Sequence, residues 1–142
     1  MKLIQGDKRI EITIDSYEFP YDEHGFYEDN NWLNVAVEWE DEVLQENAVS
    51  PCLLSDELEQ LYQGLGNVLL GKDYEASFSE PDLTLCAKWE NQELHMHVSY
   101  AKKGRSRFYI DAVITLAQLD EMISDLHAQY CRFPKRAQVR MN

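Results

Sequence analysis

Two histidines have the spacing of a metal site, since His95 and His97 lie two residues apart in an alternating segment. Residues i and i+2 of a strand share a face, and two imidazoles with a nearby carboxylate can bind a transition metal. The alternation places Leu94, Met96 and Val98 on the buried face, which leaves both histidines toward solvent. We therefore predict a solvated strand surface and a protein without cofactors. A metal-dependent enzyme built on this pair is the alternative, and titration with zinc tests it.

The cysteines and the common catalytic motifs point away from an enzyme. Cys52, Cys86 and Cys131 are widely separated and form no CxxC pattern, which predicts reduced thiols. Cys52 is a candidate nucleophile by type, but a free cysteine between Pro51 and Leu53 is typical of a small buried hydrophobe. The chain has no GxGxxG, P-loop, GxSxG or HExxH motif. We predict that the protein is not an enzyme and has no catalytic residues.

The charge of the chain is negative and unevenly distributed. The formal net charge is -13, and residues 1–82 hold 20 of the 26 acids but only four of the 13 bases. Such a field attracts basic proteins and repels nucleic acids and anionic membranes. Four bases of the second half, Lys102, Lys103, Arg105 and Arg107, share a predicted hairpin tip, but nucleic-acid binding requires a larger positive face. We expect this tip to be solvated or paired with carboxylates of the acidic half, with no direct nucleic-acid contact.

The acids are densest in a predicted loop over residues 19–31 and in the hairpin after it. The loop carries Pro20 and Gly25, has no periodicity and mixes aromatic residues with acids. Rigid rings beside charge are typical of interface centres, because they bury area at a small entropic cost. Alternatively, two or three rings, Phe19 among them, pack on the core, or the acids only aid solubility. We predict that a protein partner contacts Tyr21, Asp22, Glu23, Phe26, Tyr27, Glu28, Asp29, Glu38, Glu40, Asp41, Glu42 and Glu46.

Two-residue alternation predicts strands along most of the chain. The first two strands cover residues 2–5 and 9–17. A hairpin follows, with inner residues Leu33, Val35, Val37 and Trp39, a turn at 40–42 and a return over 43–49 that Pro51 ends. After a strand over 75–79 comes a final meander, whose inner residues are Leu83, Leu85, Ala87, Trp89, Leu94, Met96, Val98, Tyr100, Phe108, Ile110 and Ala112. Within the meander, Asn91 and Gln92 form a tight turn.

Spacings of three and four residues predict two helices. The first has Ser55 as N-cap, an apolar face of Leu58, Leu61, Tyr62, Leu65, Val68 and Leu69, and Gly71 at its end. Gly64 and Gly66 each weaken it by about 1 kcal/mol relative to alanine. The second helix begins at Thr115, which forms a capping box with Gln118, and stops at Pro134 before a basic tail over 135–142. Its apolar stripe consists of Leu116, Leu119, Ile123, Leu126, Tyr130 and Phe133, with Met122 beside it.

These elements predict one α+β domain over residues 1–142. We expect a mostly antiparallel, curled sheet of about seven or eight strands, with the C-terminal helix packed on it. No apolar segment of the sequence approaches the roughly 20 residues of a transmembrane helix, and its first ten residues lack the apolar run of a signal peptide. A cytoplasmic protein without membrane contact is the expectation. The sequence specifies no oligomeric state.

Four blocks resemble a known family. They read DNNWLNVAVEWE at 29–40, SPCLLSDELEQL at 50–61, FSEPDLTL at 78–85 and ITLAQLDEMISDLHAQYCRFP at 114–134. Together and in this order, they are similar to the WapI family of bacterial immunity proteins. The WLN strand followed by PCLL and a helix carries most of the resemblance, because the last block is a generic amphipathic helix.

The resemblance implies a role in contact-dependent growth inhibition between bacteria. A protein of this kind binds and neutralises the C-terminal toxin domain of a WapA-type protein, a basic nuclease similar to RNases that cut tRNA. It implies no catalytic residues. An acidic binding or regulatory domain with an unrelated basic protein partner is the alternative from another class.

Overall fold

The computed structural model describes residues 1–136, which form eight strands and three helices. The first sheet contains β1 (Lys2–Gln5), β2 (Lys8–Tyr17), β3 (Trp32–Glu40) and β4 (Gln45–Leu54), and the second contains β5 (Tyr74–Glu75), β6 (Leu83–Glu90), β7 (Glu93–Tyr100) and β8 (Phe108–Ile114). The helices are α1 (Tyr27–Asn31), α2 (Ser55–Val68) and α3 (Leu116–Arg132). The predicted α+β class and strand number are confirmed, but the strands form two sheets of four.

Both sheets are antiparallel meanders whose inner faces contribute to a single core. Each strand pairs with its neighbour in sequence, so the order is β1-β2-β3-β4 and β5-β6-β7-β8. The predicted inward residues of β3 and β7 are all buried, as the alternation indicated. The rings of Trp39 and Tyr100 lie 5.2 Å apart between centroids and join the two sheets.

The predicted tight turn at Asn91 and Gln92 and the predicted capping box of α3 are both confirmed. Asn91 and Gln92 have φ values of 51° and 67°, the left-handed conformation that a two-residue hairpin requires. At the start of α3, Gln118 N donates to Thr115 Oγ1 (3.1 Å), and Thr115 N donates to Gln118 Oε1 (2.8 Å). This reciprocal pair is the predicted capping box.

The hairpin and first helix differ from prediction at their boundary. β4 continues past Pro51 to Leu54, because β4 is the outer strand of its sheet and proline is tolerated at an edge. Ser55 is the first helical residue and Leu54 occupies the N-cap position, so the predicted cap was wrong by one residue. The Leu54 N–H donates instead to Glu57 Oε1 at 3.0 Å.

Four other expectations need correction or lie outside the described residues. The strand predicted over 75–79 is the two-residue β5, and the predicted loop over 19–31 contains α1. Leu116 is 51% exposed and does not belong to the buried stripe of α3. The helix does pack on the first sheet, where the buried Ile14 N–H donates to Gln129 Oε1 at 2.6 Å. Residues 137–142 of the predicted basic tail lie outside the described residues.

Candidate protein-interaction site

The segment over residues 19–31, which we call the acidic loop, presents aromatic rings to solvent. Phe19 is 45% exposed, Tyr21 is 46% exposed and Phe26 is 77% exposed, while Tyr27 is half-buried. The expectation that Phe19 packs on the core is therefore wrong. Exposed rings grouped in one short segment are a feature of binding surfaces, because isolated proteins rarely leave such area to water.

One buried asparagine closes the acidic loop. Asn30 is 2% exposed, its Oδ1 accepts from Asp22 N at 2.8 Å, and its Nδ2 donates to Asp22 O at 2.7 Å. Asp22 Oδ1 in turn accepts from His24 N at 2.9 Å, and Asp22 O accepts from Gly25 N at 3.0 Å. These bonds give the acidic loop a defined shape before any partner arrives.

A second buried asparagine ties the acidic loop to the segment after α3. Asn31 Nδ2 donates to Tyr27 O (2.8 Å) and Arg136 O (3.0 Å), and Asn31 Oδ1 accepts from Arg136 N (2.7 Å). The Arg136 guanidinium lies 3.3 Å from the centroid of the Tyr17 ring and donates to Phe19 O at 3.1 Å. The loop is thus held at both ends.

The acidic loop encloses a groove of about 410 Å³. It is lined by residues 19–22 together with Gly25, Asp29 and Asn30. Asp22 and Asp29 are thus among the lining residues, together with the aromatic Phe19 and Tyr21. Nearby, burial raises the pKa of Glu18, and repulsion from Asp29 raises it further, so negative charge is concentrated here.

The strand register extends this acidic surface to α2. Trp32 pairs with Leu54, so the end of α1 lies beside the start of α2. Burial raises the pKa of Tyr27, and the charges of Asp56, Glu28 and Glu59 raise it further. Sequence reasoning missed Asp56 and Glu59 as neighbours of the loop, although the hairpin register predicted from alternation could have indicated them.

The carboxylates of the β3–β4 hairpin are mostly occupied within the protein. Arg9 forms ion pairs with Glu40 (3.2 Å), Glu11 (3.4 Å) and Glu38 (4.0 Å). Glu46 Oε2 accepts from Ser106 N at 3.0 Å. These groups have therefore already found partners in the fold.

At the hairpin tip, Asp41 has a structural role. Its Oδ1 accepts from Val43 N and Leu44 N, each at 2.8 Å, and these bonds lower the pKa of Asp41. Within residues 1–136, Glu42 is exposed without an ion pair or hydrogen bond, and Val43 is 86% exposed. Sequence reasoning missed Val43 and Leu44, whose signal is an apolar pair inside a polar turn.

The predicted contact residues fall into two groups at opposite ends of β3. This strand has nine residues, so at about 3.3 Å per residue the acidic loop and the hairpin tip are separated by about 26 Å. The fold brings Tyr21, Asp22, Glu23, Phe26, Tyr27, Glu28 and Asp29 together at one end. It holds Glu38, Glu40, Asp41, Glu42 and Glu46 along and beyond the other.

The histidine pair lies on the solvent face, as predicted. The rings of His95 and His97 are stacked with centroids 6.5 Å apart, and His97 Nδ1 lies 3.3 Å from Asp111 Oδ1 and 3.1 Å from Tyr109 Oη. Within the part of the chain that the structure describes, no three His, Cys, Asp or Glu residues are grouped to hold a metal ion. The pair is part of a hydrogen-bonded strand surface.

Cys52 and the basic hairpin tip also have structural surroundings. Cys52 is fully buried, and burial is the main cause that raises its pKa to about 12, so the thiol is poorly suited to act as a nucleophile. Lys102 lies 3.8 Å from Asp82, and Arg105 Nε donates to Asn47 O at 3.2 Å. Lys102 thus pairs with a carboxylate of the acidic half, while Lys103, Arg105 and Arg107 are exposed to solvent, so each of the two expected outcomes holds for part of the tip.

Comparison with known protein families identifies the family of this chain. A family model described as the immunity protein WapI-like family matches residues 2–134. No curated protein matches the chain. Among the described residues, none of the helices is both long enough and apolar enough to cross a membrane.

Proposed function

The chain belongs to the WapI-like immunity protein family, and we propose that it binds and neutralises the C-terminal tRNase toxin domain of a WapA-type contact-dependent inhibition protein. The family supports an immunity function and a non-enzymatic inhibitor role. The nature of the toxin, the use of the acidic loop and the cytoplasmic location are parts of the proposal. In this role, the protein meets a toxin domain that has entered the cytoplasm and prevents it from cutting tRNA.

The acidic loop is the observation that best supports a contact with a basic toxin. An RNase must bind an anionic substrate, so its substrate groove carries positive charge. Carboxylates without an internal ion pair can steer such a domain and complement it. Among residues 1–136, neither Asp22 nor Asp29 forms an ion pair, unlike Glu38 and Glu40 beside Arg9.

The exposed rings of the loop supply the apolar part of the contact. Large aromatic side chains dominate binding energy when their own partner surface excludes water. Phe26, at 77% exposure, can bury more new area than the other loop rings. The hydrogen bonds of Asn30 and Asn31 hold the loop in shape, which reduces the entropy lost on binding.

The tip of the β3–β4 hairpin, where Asp41 and Glu42 lie, has a secondary role in this proposal. An interface of standard size covers about 800 Å² per partner, which corresponds to a circle about 32 Å across. Such a patch centred on the loop reaches about 16 Å, whereas the tip lies about 26 Å away along β3. We therefore place the centre of the contact on the acidic loop and give Glu42 and its neighbours a role in long-range steering.

Co-expression with the toxin domain tests this function. The gene immediately upstream is the place to look for the toxin, which we expect to be the variable C-terminal domain of a large secreted repeat protein. We expect this domain to arrest growth alone, and the chain to restore growth and to co-purify with it. Phe26→Ala should reduce rescue, while Leu70→Ala, which removes a side chain of equal exposure (76%) from another surface, should not. Failure of the wild-type chain to bind or rescue would contradict the proposed function.

A further inference from the structure

The groove of the acidic loop is large enough to receive one side chain of a partner protein. Its volume of about 410 Å³ lies near the lower end of the roughly 300–1,000 Å³ typical of ligand pockets. Phe19 and Tyr21 are its aromatic lining residues, and Asn30 holds Asp22 in place through two hydrogen bonds. A concavity with aromatic residues and a fixed backbone suits a compact group better than an extended surface.

The charge of the groove determines which group fits. Asp22 and Asp29 both line it, and no described cation forms an ion pair with either. Asp22 Oδ1 is occupied by His24 N, but in the described residues Oδ2 has no hydrogen-bond partner. The two exposed carboxylates repel an anion and attract a cation more strongly than a neutral group.

A guanidinium group satisfies both parts of the groove. Its plane stacks on an aromatic face, and its fork of N–H donors matches carboxylate oxygens, whereas a lysine ammonium provides only a point charge. Beside the loop, the Arg136 guanidinium makes both kinds of contact, because it lies over the Tyr17 ring of β2 and donates to Phe19 O. We propose that the groove receives the side chain of one arginine from the partner protein. This inference rests on the proposed function only for the identity of the partner protein.

Titration with a small arginine probe tests the groove by itself. We expect N-acetyl-arginine amide to cause saturable shifts in the backbone amide NMR signals of Asp22, Gly25 and Asn30 at millimolar concentrations. N-acetyl-lysine amide should cause smaller shifts, and the uncharged isostere N-acetyl-citrulline amide should cause none. Equal shifts with citrulline, equal shifts at the hairpin tip, or no saturable shift with arginine would each overturn the inference.

Charge-neutral variants of the same shape locate the probe. Asp29→Asn should raise the dissociation constant of the arginine probe by about three- to tenfold, because a charge-assisted hydrogen bond becomes a neutral one. Asp120→Asn is the matched control, since this exposed carboxylate lies near the start of α3. It is about 18 Å along the helix from Arg132, and the segment that contacts the acidic loop follows Arg132. An unchanged constant in the Asp29 variant, with the native spectrum retained, would contradict the assignment.

A double-mutant cycle with the toxin domain separates this inference from the proposed function. Each arginine of the toxin is replaced by lysine and measured against wild type and Asp29→Asn. We expect one arginine whose effect is strongly non-additive with Asp29→Asn. If the toxin binds but every cycle is additive, the arginine assignment fails and the immunity function stands. If the probe binds but the toxin does not, the immunity function fails and the groove assignment stands.

Discussion

Replacement of Asn30 by aspartate tests whether one buried amide shapes the acidic loop. The side chain of Asn30 is nearly isosteric with aspartate and is 2% exposed. Its Oδ1 bond from Asp22 N (2.8 Å) survives the Asn30→Asp substitution. Its Nδ2 bond to Asp22 O (2.7 Å) does not, because an ionised carboxylate has no proton to donate and would place two oxygens against each other.

The expected loss is about 1–3 kcal/mol, the cost of a lost hydrogen bond that leaves a buried carbonyl unsatisfied. This loss depends on pH, since the protonated carboxyl can donate to Asp22 O as the amide does. Folding then favours the protonated form and raises the pKa of the introduced carboxyl above its ordinary value of about 3.9. The folded variant binds more protons than the unfolded one, so its stability relative to wild type is near normal below about pH 4. It falls as pH rises through the folded pKa and stays low at pH 7.

Urea unfolding and amide exchange measure this effect. With a slope of about 2 kcal/mol/M, a loss of 2 kcal/mol lowers the urea midpoint by about 1 M at pH 7. Because the loop can also open by itself, the amide of Asp22 should exchange faster even where the global transition changes less. Asn47→Asp adds the same charge at an exposed position of β4 and should change stability by no more than about 0.5 kcal/mol. Wild-type stability and wild-type exchange of Asn30→Asp at pH 7 would refute the reasoning.

Two further predictions concern α2 and the thiols. A Cβ at Gly64 would lie 2.0 Å from Tyr74 Cε1, so Gly64→Ala should lower the free energy of unfolding by about 1–3 kcal/mol. A Cβ at Gly66 would meet nothing within 4 Å, so Gly66→Ala should raise the free energy of unfolding by about 0.4–1 kcal/mol. Equal effects of the two substitutions in urea unfolding would contradict the packing of Tyr74 on the helix. Cys52, buried and with its pKa raised to about 12, should resist iodoacetamide at pH 8 in the native protein, while the exposed Cys131 reacts, as peptide mapping can show. Labelling of both thiols at the same rate would be inconsistent with the core position of Cys52.

Elements set by local chemistry could be predicted from the sequence. The two-residue period identified the inward faces of β3 and β7, and the pair of Thr115 and Gln118 identified the start of α3. These features depend on neighbours within a few residues, which a single sequence displays. The division into two sheets could not be predicted, because strand partners are chosen by packing between distant segments.

Only part of the site could be predicted, because the rest depends on contacts between segments that are distant in the sequence. The mixture of rings and acids marked the acidic loop, but the sequence did not reveal that Arg9 occupies Glu38 and Glu40, since β2 and β3 meet only in the fold. It did not reveal that Phe19 is exposed, because burial depends on whether core space is available. Gly64 was read as a weak point of α2, whereas its missing side chain leaves room for Tyr74.

The affinity of the toxin domain for matched variants tests the central claim most directly. Titration calorimetry compares wild type, Phe26→Ala in the acidic loop and Leu70→Ala outside it, two positions exposed by 77% and 76%. We predict that Phe26→Ala raises the dissociation constant by about tenfold or more, the equivalent of about 1.4 kcal/mol, and that Leu70→Ala leaves it unchanged. Binding of the toxin with equal affinity by wild type and Phe26→Ala would contradict the placement of the contact on the acidic loop.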